Sequence, residues 1–388
     1  MSESPPTTAR TVARPEDTRL PPRRSLFVMM DVTNRCNLRC RMCPRHLSRP
    51  EPRDLDLGLL QKIAAEVFPY AGAVSLSCGA EPLMARHFEA ALEIVREAGV
   101  PHVDFVTNGT LLDERRIRAV MAAGLRRVMV SVDGATADTY ERIRAGARFD
   151  RVLANLRLLR RLKAEAGTPY PRLRLHFVLM RSNLAELPAY LDLARELGAA
   201  EVDLRHVAIY AGLGMEDESL AGDRAAANAA LRAARWQAIR HGLVLEAPPP
   251  FLDVVPPLGR AEMLRWRLET LVGVAANACF LLGRGGAPSL RRLLIRAARR
   301  RLDHRVRCPV PTDTLVLTVE GDVLPCPFWY GEEPMGNLAR ASFADVWAGP
   351  GYADLRARLR GELPLARACQ RCPSVGSRRV TEDAFQSI

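Results

Sequence analysis

The chain has 388 residues, 48% of them hydrophobic, which is enough to bury one large core and a smaller one. No apolar run approaches the ~18 residues that a membrane-spanning helix needs. The net charge of +12 is carried by arginine, with Lys62 and Lys163 the exceptions; this Arg and Ala bias is what a GC-rich genome produces, so no nucleic-acid partner is expected.

Residues 1–24, rich in Pro, Thr, Ser and Arg, lack an apolar signal core and read as a disordered lead-in to a cytoplasmic protein. Strands are then predicted at Leu26–Val32, Val74–Cys78, His102–Thr107, Arg127–Val132, Arg172–Met180 and Glu201–Ile209. Between them the pattern is helical at Gly58–Phe68, Phe88–Glu97, Asp113–Ala123, Phe149–Ala166 and Leu184–Leu197. Six strand–helix units in this order predict an α/β fold over 25–210, a partial (β/α)6 TIM-like barrel with its functional residues on loops at the C-terminal strand ends. Residues 211–305 break the rhythm and read as a helical, basic insertion. It holds the Pro248–Pro250 run, an apolar stretch Thr270–Gly283 and a basic run Arg291–Arg301. The last segment, 306–388, restarts with a hairpin signal: Thr314–Val319, a turn at Glu320–Gly321–Asp322, then Val323–Leu324.

The nine cysteines are grouped. Cys36, Cys40 and Cys43 fall within eight residues directly after the first strand, in Asn34-Arg35-Cys36-Asn37-Leu38-Arg39-Cys40-Arg41-Met42-Cys43-Pro44. Cys308, Cys326, Cys369 and Cys372 lie far downstream, and Cys78 and Cys279 read as buried packing residues. In a reducing compartment such grouping means metal or redox chemistry rather than disulfides. Three thiolates suit three irons of a cubane and leave the fourth iron open to an exogenous ligand. A zinc site completed by His46 is the alternative.

The CxxxCxxC loop after the first strand resembles the radical S-adenosylmethionine (SAM) superfamily. The resemblance places Met42 against adenine. It likens Cys78-Gly79-Ala80-Glu81-Pro82-Leu83 to the segment that receives the SAM amino group, with Ala80 in place of a second glycine. Asn108, in Thr107-Asn108-Gly109-Thr110, ends the third strand as in that family. Ser131-Val132-Asp133-Gly134 resembles the segment that meets the ribose and methionine, and Arg144 is the implied carboxylate partner. The implied cofactors are SAM and a 4Fe–4S cluster on Cys36, Cys40 and Cys43, reduced by an external donor such as flavodoxin or ferredoxin.

Downstream, Cys308 is followed after twelve residues by Gly321, and Cys326 comes four residues later. With Gly336-Asn337-Leu338, Asp345-Val346-Trp347 and the pair Cys369 and Cys372, this resembles the SPASM/Twitch extension of the same superfamily. The resemblance implies one auxiliary 4Fe–4S cluster on Cys308, Cys326, Cys369 and Cys372; a zinc ribbon is the alternative.

The catalytic acid or base is not legible. The base that sulfatase-maturating enzymes carry after the hairpin cysteine is missing, because Cys326 precedes Pro327-Phe328-Trp329-Tyr330. The leading expectation is a two-electron oxidation of a carbohydrate-like or natural-product metabolite. The alternatives are modification of a ribosomally made peptide and of a lipid-linked substrate at a membrane surface. The last would use Thr270–Gly283 and the arginines after it as a peripheral anchor, against the preferred reading of a helical lid. Arg174 and His176, like Asp203, Arg205 and His206, face either a substrate or one another in salt bridges.

Overall fold

The structure, a computed structural model, describes residues 19–48, 50–251, 259–261, 264, 308, 310–329 and 332–370. Residues 1–18, the stretch Thr270–Gly283 with Cys279, and the run Arg291–Arg301 lie outside the described residues.

Alternation sets the strands. In β1 (Leu26–Met30) Leu26, Val28 and Met30 are buried, while Phe27 and Met29 are half-buried. β2 (Ala71–Ser75), β3 (His102–Asp104), β4 (Val106–Thr107), β5 (Arg127–Ser131), β6 (Arg172–Leu179) and β7 (Glu201–His206) follow. β6 is the clearest case: Leu173, Leu175, Phe177 and Leu179 are buried under helices, and Arg172, Arg174, His176 and Val178 take the other face. The expected strand His102–Thr107 is interrupted at Phe105, whose side chain is fully buried and whose carbonyl accepts from Met129 N at 2.9 Å. β3 therefore pairs with β2 and β4 with β5.

The helices are α1 (Leu57–Glu66), α2 (Phe88–Glu97), α3 (Glu114–Ala122), α4 (Ala137–Ile143), α5 (Phe149–Glu165), α6 (Leu187–Glu196) and α7 (Arg224–His241). Asp56, Asp113 and Thr136 cap α1, α3 and α4 by accepting a backbone N–H with their side chains. The strand–helix rhythm runs further than expected. α7 ends at Gly242, whose φ of 65° is left-handed, and the chain turns into β8 (Val244–Glu246), which pairs parallel with β7.

The sheet orders are β11-β10-β9-β1-β2-β3 and β4-β5-β6-β7-β8. β9 (Thr314–Leu317), β10 (Asp322–Leu324) and β11 (Gly336–Asn337) form the expected hairpin with one further strand. β9 docks parallel on β1 with Phe27 opposite Thr314 and Met30 opposite Leu317, so the C-terminal segment is built onto the barrel sheet. No described helix is long and apolar enough to cross a membrane.

Candidate functional site

Loops after the parallel strands gather at one end of the sheet. The cysteine loop is fixed there by its backbone: Arg39 N donates to Ala145 O and Arg41 N to Ile143 O, both at 2.9 Å. Cys40 is buried, Cys36 and Cys43 are half-buried, and the three thiols act electrostatically on one another. Burial pushes the Cys40 thiol up to about 11, against the Arg144 guanidinium, whose Nη1 lies 3.7 Å from Cys40 Sγ. A bound group that holds this sulfur as thiolate must therefore bring positive charge, as iron does.

His46 is not aimed at the thiols. Its Nε2 lies 2.9 Å from the Cys40 carbonyl, to which it must donate. Among the described residues no three Cys, His, Asp or Glu side chains are close enough to share one metal ion.

Met42 packs into a small apolar cluster separate from the main core, with Ile143, Met180, Val207, Ile209 and Met215. This is an apolar wall of the kind a purine needs. The sequence reading found Met42 but not Val207 and Ile209, although their apolar run at the end of β7 was the available signal.

Glu81 is almost fully buried. Its Oε1 accepts from Thr107 Oγ1 at 2.6 Å and Leu83 N at 3.2 Å, and its Oε2 accepts from Asn108 N at 2.7 Å. Burial raises its carboxyl to about 6. Both oxygens are thus spent on neighbouring loops, and Glu81 is a buttress between the β2 and β4 ends. Pro82 opens the short helical turn that follows it. Asn108 Nδ2 donates to Asn37 Oδ1 at 2.9 Å, tying the β4 end to the cysteine loop.

Asp133 and Arg144 form a buried ion pair at 2.7 Å, and the other Asp133 oxygen accepts from Val178 N at 2.8 Å. Ser131 is buried beside them on β5, opposite His176. The structure thus brings Cys36, Cys40, Cys43, Met42, Glu81, Asn108, Asp133 and Arg144 into one connected region.

One residue there was missed altogether. Asp31, just past the end of β1, accepts the N–H groups of Cys78 and Gly79 on a single oxygen, Oδ1, at 2.8 and 3.0 Å. A carboxylate at a strand end reads as an ordinary edge residue, which gave no signal. Cys78 is half-buried; burial first, then Asp31 and Cys326, push its thiol up to about 12. Cys308, Cys326 and Cys369 are half-buried, while Cys372 lies outside the described residues. The backbone ties the last cysteine segment to the hairpin loop, since Ala368 N donates to Glu332 Oε1 at 2.9 Å.

The polar face of β6 is a salt-bridge network. Arg174 pairs with Glu201, Asp203 and Glu246 at 3.3, 2.9 and 2.6 Å, and Arg205 pairs with Asp203 and Glu246. His176 Nδ1 lies 3.2 Å from Asp203 Oδ2. The His206 ring packs tilted against Phe251, with centroids 5.1 Å apart, and burial pulls its imidazole down to about 4.

The radical SAM superfamily model matches residues 30–170, and an iron–sulfur cluster-binding domain model, SPASM, matches residues 308–373. The chain is 29% identical over 230 residues to the PqqA peptide cyclase of Gluconobacter oxydans, covering 58% of this chain and 61% of that protein. It is 25% identical over 353 residues to the pre-heme d1 synthase of Dinoroseobacter shibae, covering 89% and 78%. In fold it is similar to Streptococcus suis SuiB bound to its precursor peptide SuiA. The TM-score is 0.61 at 15% identity, over 86% of this chain and 66% of that one.

Proposed function

Because the chain belongs to the radical SAM superfamily and carries a SPASM iron–sulfur cluster-binding domain, we propose that it is an enzyme that reductively cleaves S-adenosylmethionine to a 5′-deoxyadenosyl radical and abstracts a hydrogen atom from its substrate. The observation that carries this reading is the joining of the cysteine loop, at Asn37 and Cys40, to the ends of β2, β4 and β5 through Glu81, Asn108 and the Asp133–Arg144 pair. Cys36, Cys40 and Cys43 would hold a 4Fe–4S cluster that supplies the electron for cleavage. The Met42 cluster supplies an apolar seat for adenine, and Arg144 supplies fixed positive charge beside Cys40. The protein's work is placement and the exclusion of water and stray hydrogen donors.

The net reaction we propose is a two-electron oxidation, with Cys308, Cys326, Cys369 and Cys372 holding an auxiliary cluster. Four thiolates leave no iron open, which favours electron transfer over substrate ligation. A small natural product and a ribosomally made peptide both fit this chemistry. The similarity to a peptide cyclase favours the peptide. The similarity to the pre-heme d1 synthase spans more of the chain, 89% against 58%.

Anaerobic reconstitution tests the reading. The protein should hold about eight irons, roughly four per cluster, and release 5′-deoxyadenosine from SAM under a strong reductant. Replacing Cys36, Cys40 and Cys43 together by Ala should leave about half the iron and abolish cleavage. Zinc on the C-terminal cysteines would overturn the auxiliary-cluster assignment.

A further inference from the structure

The loop Cys78–Glu81 spends most of its backbone donors on the protein. Cys78 N and Gly79 N both donate to Asp31 Oδ1, at 2.8 and 3.0 Å. Glu81 N donates to Arg35 O at 2.9 Å. Successive N–H groups that converge on one anion form a nest, and their carbonyls must then face elsewhere. Among the described residues the carbonyls of Cys78 and Ala80 accept no hydrogen bond, and Gly79 O has only Arg45 Nη1 at a marginal 3.5 Å. A trans peptide sets each carbonyl opposite the following N–H, so Cys78 O faces away from the half-buried Asp31 and, with Ala80 O, offers acceptors to a ligand rich in N–H donors.

The acid itself is fixed independently of the loop. Asp31 N donates to Leu317 O of β9 at 3.1 Å, so its backbone is held from the opposite side of β1. Arg45, whose charge acts on Asp31, also donates to Asn34 O in the cysteine loop. Asp31 is thus the point where the cysteine loop, the β2 loop and the C-terminal hairpin are tied together.

We propose that Asp31 is a positioning residue for S-adenosylmethionine: by gathering the N–H groups of Cys78 and Gly79, it presents the carbonyls of that loop to the ammonium end of SAM. The inference rests on the radical SAM reading above. It adds a residue that acts through the loop and does not itself touch SAM.

The test is SAM binding to the anaerobically reconstituted full chain, by equilibrium dialysis with labelled SAM, with iron content and Tm read in parallel. Asp31→Ala should bind SAM about tenfold more weakly at unchanged iron, because the loop loses two charge-assisted bonds. Asp31→Asn keeps an acceptor at Oδ1 and should stay within about threefold of the parent chain. Asp31→Glu keeps the charge but moves it by a methylene, and should weaken SAM by about tenfold. A merely structural role would lower iron, Tm and SAM affinity together. The proposal is overturned if Asp31→Ala binds SAM like the parent, or if Asp31→Asn is as weak as Asp31→Ala. Should Asp31→Ala lose its iron, the other two variants decide: Asn weak, or Glu normal, overturns it. If the parent chain itself binds no SAM, it is the proposed function that fails, and these ratios are never reached.

Discussion

Among single residues, the Asp133–Arg144 pair is the most exposed to mutation, because neither partner has solvent to fall back on. Asp133 is fully buried and Arg144 is 8% exposed. Removing Arg144 strands a carboxylate in the interior, so Arg144→Ala should cost about 3–5 kcal/mol in a urea titration at neutral pH. Adding Asp133→Asn should recover part of that loss, because Asn keeps the acceptor for Val178 N. Equal destabilisation in the double and single variants would show that the pair is not the cause. Glu81→Ala should weaken SAM binding with iron intact, acting through the loops it clamps, and dialysis beside iron analysis checks this. Glu81 and Arg144 were expected from the sequence as site residues, and the structure places both beside the cysteine loop. What each atom does was not legible: a motif fixes residue type and place, whereas the partner of an oxygen depends on which loops arrive beside it. Asp31 is the extreme case, since its partners Cys78 and Gly79 come from the other side of a helix in sequence.

Secondary-structure elements were read more completely than atoms. Phe88–Glu97 matches its expected bounds; most strands end a few residues before theirs, where the chain leaves the ladder to form the site, and β2 also begins at Ala71, ahead of the expected Val74. β8 was missed because three half-buried residues give too short an alternation to see. The polar face of β6 was expected either to meet substrate or to satisfy itself, and the structure places Arg174 in ion pairs. This network has a pH consequence. Burial opposes ionisation of Asp203, but the hydrogen bond from His176 and the charges of Arg174 and Arg205 outweigh it and hold the carboxyl well below its ordinary 3.8. A depressed carboxyl adds stability that is present above the unfolded value and is lost as pH falls through the folded one. Unfolding free energy measured from pH 5 downward should therefore decline for the parent chain and decline less steeply for Asp203→Asn. At neutral pH the same variant should be less stable by about 3 kcal/mol, since Arg174 and Arg205 lose a shared partner. An acid limb unchanged by the substitution would remove Asp203 as its source.

At the scale of the molecule, β9 makes the C-terminal hairpin part of the barrel wall. Leu315 and Leu317 lie in the main core, Lys62 Nζ donates to Leu338 O across 276 residues, and Trp347 Nε1 donates to Arg19 O across 328. The two family-matched regions should therefore melt as one unit. Leu315→Ala should cost about 2–5 kcal/mol and shift a single calorimetric transition, whereas two separable transitions would contradict the shared sheet. The same pairing bears on how the chain is made. As β1 leaves the ribosome, its parallel neighbour β9 is still far from synthesis, so one edge of an apolar strand, Leu-Phe-Val-Met-Met, stays open while most of the chain is translated. Contacts of such high sequence separation form slowly and leave the nascent protein prone to aggregation. The cysteine loop hangs directly from that strand, and Asp31 is anchored to β9. Iron delivered before the hairpin docks would meet a half-built cradle, so maturation of this protein has a natural order: synthesis of β9, sheet closure, then metal.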